Sequence, residues 1–142
     1  MGLFKLLILA MIMSRAAIFA MAERIYVSSD AVVADSVKRL INAVEGAGAM
    51  LFVTVDFALG AQSVGEILRP TNLVIFGSPK IGSTALHLPF RILFYEDIHD
   101  QTWAIYNDPI TIALSHGVAP DDTSVLGMCA AFESCVAAAT SK

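Results

Sequence analysis

Apolar positions along the chain fall into two periods, and the change between them marks out the elements. Ile25-Tyr-Val-Ser28 is a short strand pattern. After Asp30, Val33, Val37, Leu40, Ile41 and Val44 recur at helical spacing, with Asp35, Lys38, Arg39, Asn42 and Glu45 on the other face. Asp30 is expected to cap this helix, and Gly46 or Gly48 to end it in a left-handed conformation. Met50 to Asp56 alternates as a strand, which predicts Leu51, Val53 and Val55 on one face. Ala58 to Leu68 reads as a short weak helix stopped by Arg69-Pro70.

The second half is mostly sheet. Asn72 to Phe76 is an almost continuous apolar run, which suits a central strand, and Gly77-Ser78-Pro79-Lys80 breaks it. Ile81 to His87 is expected to be a short helical turn or loop. Phe90 to Tyr95 and Thr102 to Tyr106 form a hairpin through Glu96 to Gln101. Asp108-Pro109 starts a helical turn closed by His116-Gly117. Asp122 or Thr123 then opens a last helix to about Ala139, striped by Val125, Met128, Cys129, Phe132, Val136 and Ala139. The order is strand, helix, four strands, helix. It predicts an α+β domain, with a largely antiparallel sheet and helices on one face.

The first 22 residues follow a different pattern. Lys5 precedes the apolar run Leu6 to Met13, and Ala20-Met21-Ala22 offers the small residues that a signal peptidase admits. Arg15 interrupts the stretch, so an uncleaved anchor is the competing expectation. The leader reading gives a signal peptide at 1–22 and a single domain at 23–142, with a periplasmic or secreted location. Removing Lys5 and Arg15 moves the net charge from −4 to −6. An acidic body of that kind repels phosphate backbones, which argues against nucleic-acid binding. No membrane contact is expected once the leader is gone.

Cys129 and Cys135 stand six residues apart. On a helix that is about 9 Å of rise, beyond the roughly 7 Å a disulfide allows. Small apolar packing residues are one reading, and an intermolecular disulfide is the other.

Several blocks in order carry a family resemblance. They are Leu68-Arg69-Pro70-Thr71, Leu73 to Lys80, Leu88-Pro89, Tyr95-Glu96-Asp97 and Tyr106 to Pro109. Across about Ser36 to Phe132 the chain resembles the "domain of unknown function 302" family. The resemblance implies a TATA-box-binding-protein-like fold, frequent export and association into dimers, and it brings no established activity. Two departures stand out. Phe57 occupies the place where relatives commonly have histidine, and the segment between Pro79 and Leu88 is shorter than usual.

Candidate chemistry centres on charges at strand ends. Asp56, Lys80, Glu96 and Asp97 could polarise a small ligand, or Lys80 could simply pin a loop by pairing with a carboxylate. Glu96-Asp97-Ile98-His99-Asp100 places a histidine among carboxylates, but at a hairpin tip such side chains diverge into water. No metal and no cofactor are expected. No nucleophile elbow or phosphate-binding glycine loop is present. Tyr95, Trp103 and Tyr106 lie on neighbouring strands and could line a pocket, or fill the core or a dimer interface. The reading that follows is an exported accessory or small-ligand-binding domain. It would be a homodimer with a cleft formed by Asp56, Lys80, Glu96, Asp97 and Tyr106. The alternative is a hydrolase or lyase using Asp56 and Glu96 as paired carboxylates.

Overall fold

A computed structural model describes residues 24–78, 90–115, 117–119 and 121–141. The expected leader, Lys80, the Ile81 to His87 turn and His116 lie outside the described residues. Among the described residues nine elements follow in order: β1 (Arg24–Ser29), α1 (Val33–Gly46), β2 (Met50–Asp56), α2 (Phe57–Ser63), β3 (Thr71–Gly77), β4 (Phe90–Glu96), β5 (Thr102–Asn107), α3 (Pro109–Ser115) and α4 (Thr123–Thr140). The strands form one sheet in the order β1-β5-β4-β3-β2, antiparallel at every pairing. Since β1 and β2 hold opposite edges, α1 crosses the sheet between them. The α+β class and the antiparallel sheet are as the sequence predicts.

α1 and α4 pack side by side on one face of the sheet. Val33, Val37, Leu40 and Val44 from α1 meet Val74, Phe76, Ile92, Phe94 and Ala104 from the strands. Phe132, Cys135, Val136 and Ala139 of α4 complete this core. Leu40, Ile92 and Phe94 are wholly buried. A small second cluster, Ala113, Val125 and Cys129, joins α3 to the start of α4. α4 is apolar enough and, at 18 residues, long enough to cross a membrane, and its stripe of core contacts accounts for that composition.

Polar anchors fix the helix ends. Asp108 accepts the Ile110 N–H at 2.9 Å and the Thr111 hydroxyl at 3.0 Å, and Asp122 accepts the Ser124 N–H at 2.8 Å. Gly48 has φ of +75°, the left-handed geometry that glycine adopts without a Cβ clash, and it follows α1 as expected. Asp30 does not cap α1. The residue at the cap position is Val32, without a side-chain bond, and the Asp30 N–H donates instead to the Thr140 carbonyl at 2.9 Å. Buried Ser29 and Ser36 bond each other at 2.8 Å beside that contact, tying β1, α1 and the end of α4 together.

Two expectations are corrected. α2 begins at Phe57 rather than Ala58 and stops at Ser63, where Gly65 at φ +81° turns the chain. Residues 64–70 are not helical, and Ile67 among them is 99% exposed. In β2, Leu51 pairs with Phe76 and Val53 with Ile75, which leaves Phe52 as an extra residue at a bulge. Directly paired residues share a face, so Leu51 lies on the helix side with Phe76. Val53 and Val55 turn to the opposite side with Ile75 and Leu73.

Candidate functional site

The expected cleft residues divide between the two ends of the sheet. Asp56, Glu96 and Asp97 stand at the end where β4 turns into β5, since β2 and β4 finish there and β3 starts there. Tyr106 lies at the other end, four residues along β5 from the Thr102 that pairs with Glu96. Lys80 is outside the described residues. The structure therefore brings three carboxylates to one end and does not bring Tyr106 to them.

Each of those carboxylates has structural bonds. Asp56 caps α2, its Oδ1 accepting the Leu59 N–H at 2.9 Å. Arg69 pairs with Glu96 at 3.2 Å and with Asp100 at 2.7 Å, and these carboxylates hold its pKa above the ordinary value, Asp100 foremost. Asp97 accepts the Trp103 indole N–H at 2.8 Å through Oδ2, and the His99 and Gln101 backbone N–H groups through Oδ1. These bonds, with Trp103 the largest cause, hold the Asp97 carboxyl below its ordinary pKa. Asp56 and Glu96 share the helix side of the sheet with β3 between them. Strand spacing puts their backbones about 12 Å apart. Among the described residues no group of three or more His, Cys, Asp and Glu side chains converges as a metal site would require.

A cavity occurs at the opposite end. It has a volume of about 200 Å³ and opens between the end of α1, the middle of α4 and the ends of β3 and β4. Phe76, Phe90 and Phe132 form its aromatic wall, with ring centroids 5.0 to 5.9 Å apart. Val44, Met128 and Cys135 add apolar surface, and among the described residues Ser78 brings the only side-chain hydroxyl. Among the described residues no charged side chain lines it. Tyr106 adjoins this cavity through Phe132, against which its ring stands edge-on at 4.9 Å. Burial is the main cause raising the Tyr106 phenol above its ordinary pKa, with Glu133 and Asp108 adding to it.

Such a site was hidden in the sequence because its lining residues are the same ones that satisfy the core periodicity. The only pointer was the abrupt break after Phe76 at Gly77-Ser78. Both cysteines are free and buried, Cys135 in the main core and Cys129 in the smaller cluster. Burial raises both thiol pKa values.

The family model described as "Domain of unknown function DUF302" matches residues 25–132. The chain belongs to the DUF302 family. A solved DUF302 structure, the uncharacterized conserved protein from Bacillus stearothermophilus, superposes with a TM-score of 0.63 at 15% identity. That match covers 85% of this chain and 97% of the other, and at such identity it speaks for the fold. Among curated proteins, "Fluoride-specific ion channel FluC 1" of Brucella suis biovar 1 (strain 1330) is 34% identical over 94 residues. "Fluoride-specific ion channel FluC 2" of Brucella melitensis biotype 1 matches at the same identity and length. The alignments cover 61% of this chain but only 37% and 35% of those relatives, so the chain spans little more than a third of their length.

Proposed function

We propose that this DUF302 chain is a non-enzymatic accessory domain that works outside the cytoplasm, holds a small ligand and acts as a homodimer. The observation that carries this reading is the apolar cavity walled by Phe76, Phe90 and Phe132. An apolar lining with few polar groups is the usual character of small-molecule sites. The volume of about 200 Å³, below the usual pocket range of roughly 300–1,000 Å³, suits a ligand smaller than a typical drug. Tyr106 supports one wall through Phe132, and Ser78, two residues before Lys80 in the sequence, is among the lining residues. In this reading the carboxylates at the far end, Asp56, Glu96 and Asp97, hold the scaffold together rather than perform chemistry.

The accessory role draws support from the relatives. Their name describes a channel, and the stretch resembling this chain makes up little more than a third of each. A domain carried within a longer chain is suited to assisting the rest of that chain. The leader pattern in residues 1–22 supports export.

Native mass spectrometry of the protein purified from its own compartment tests the ligand reading. A reproducible extra mass, lost on denaturation, is expected. A bare polypeptide mass in every preparation contradicts it. Amino-terminal sequencing of the same sample tests export, with a start at Glu23 expected and an intact Met1 in cytoplasmic protein contradicting it.

A further inference from the structure

α1 and α4 cover the helix side of the sheet, but pairing register assigns the opposite side a set of apolar residues that belong to neither core cluster. Tyr26 pairs with Ile105, Ile105 with Leu93, Leu93 with Leu73, and Leu73 with Val55. These five form one continuous apolar row across all five strands. None packs against the helix-side core, and Tyr26 is 54% exposed. Two further rows flank it. Toward the hairpin, Trp103 pairs with Tyr95. Toward the other end, Arg24 pairs with Asn107, and Arg91 with Ile75. Both arginines are exposed, and neither is in an ion pair among the described residues.

We propose that this face is the surface on which a second copy of the chain docks, sheet against sheet, with the strand ends exchanged. Size supports that occupant. Five strands and three rows span roughly 24 Å by 20 Å, about 1,000 Å² over two copies before side-chain relief is added, which meets the area of about 1,000 Å² that a biological interface should clear. Charge fixes the orientation. The two arginines lie at one end of the face, and at the other the Asp97 carboxylate is held beside Trp103. A two-fold axis lying in the interface and running across the strands stacks the arginine end of one copy over the Trp103–Asp97 end of its partner. The same axis sets each residue of the middle row against its own counterpart, so Leu93 faces the partner's Leu93. An axis along the strands instead brings arginine end to arginine end in an unbalanced pairing. Isologous pairing of this kind closes at two copies. Arg91 then lies over the partner's Tyr95 and Trp103, where a guanidinium gains from the ring faces as well as from the carboxylate.

The proposal rests on the reading of the chain as a homodimer and names the surface that makes it. Sedimentation equilibrium on the purified chain tests the two parts separately. A mass twice that of the chain is expected for the wild type, and a monomer across the accessible concentration range overturns both self-association and the surface. Leu93→Lys and Arg91→Glu are expected to weaken the dimer by about 100-fold each, the scale of a central interface residue. Glu45→Lys, on exposed helix surface, leaves it intact. A dimer undisturbed by Arg91→Glu, with its circular dichroism unchanged, overturns the surface while leaving self-association standing. Tyr26→Cys, at the β1 edge of the middle row, cross-linked by a short bismaleimide distinguishes the two axes, since an axis along the strands sets that position over the far edge of the partner's sheet. A covalent dimer is expected, and none forms if the arginine ends meet. Ligand retention in the native mass spectrum is read independently of all three.

Discussion

The Trp103 indole N–H donates to the Asp97 carboxylate at 2.8 Å, binding the first residue of the hairpin turn to the strand that leaves it. The other Asp97 oxygen takes the backbone N–H groups of His99 and Gln101, which closes the turn around Asp100 at φ +61°. One carboxylate thus organises the whole β4–β5 connection.

A pH dependence follows from its lowered pKa. An unfolded aspartate titrates near 3.9, approximately. A group depressed on folding contributes stability that is complete above the unfolded value and lost as pH falls through the folded one. Trp103→Phe removes the largest cause of the shift. The variant is expected to show a shallower fall in thermal midpoint between about pH 5 and pH 2 than the wild type. Equal slopes in the two melting series would refute this.

Leu40 is wholly buried between α1 and the sheet. Leu40→Ala is expected to lower stability by about 2–5 kcal/mol through lost transfer energy and the cavity left behind. Urea unfolding followed by circular dichroism measures it. A loss below about 1 kcal/mol would place Leu40 outside the core.

Asp122 caps α4, the helix that carries one wall of the cavity. Asp122→Ala is expected to cost about 1 kcal/mol and leave the number of bound ligands unchanged. Chemical denaturation of the variant provides the check, and an unaltered midpoint would mean that the start of α4 is held by other contacts.

Burial governs both thiols. Cys129 and Cys135 should react with a disulfide reagent far more slowly in the native protein than in urea, since each thiol is held above its ordinary pKa. Two equivalents released rapidly without denaturant would show that one of the clusters opens.

The parts of the fold that sequence revealed are those where one periodicity runs unbroken. Val33 to Val44 in α1 appear as read, the stripe of α4 does so except that buried Cys135 joins it and Met128 is half-buried, and the caps at Asp108 and Asp122 also hold. Local pattern failed where a tertiary contact decided the outcome. Asp30 looks like a cap, yet its backbone is taken by Thr140, more than a hundred residues away. The bulge at Phe52 reverses the faces of β2, and nothing in Met50 to Asp56 marks it. For the site, the strand-end position of Asp56, Glu96 and Asp97 was legible. Their partners Leu59, Arg69 and Trp103 were not, and neither was the distance that separates them from Tyr106. The cavity depends on where α1, β3 and β4 end relative to α4, a relation set by packing.

Filling that cavity gives the most direct test. Ala131 lines its mouth on α4 and is exposed, so Ala131→Trp can occupy the space without cutting into the core. Native mass spectra of the two proteins, purified identically, should show a bound mass on the wild type and a bare chain for the variant. The same bound mass on both would place the ligand elsewhere and contradict the assignment of the Phe76–Phe90–Phe132 cavity as its seat.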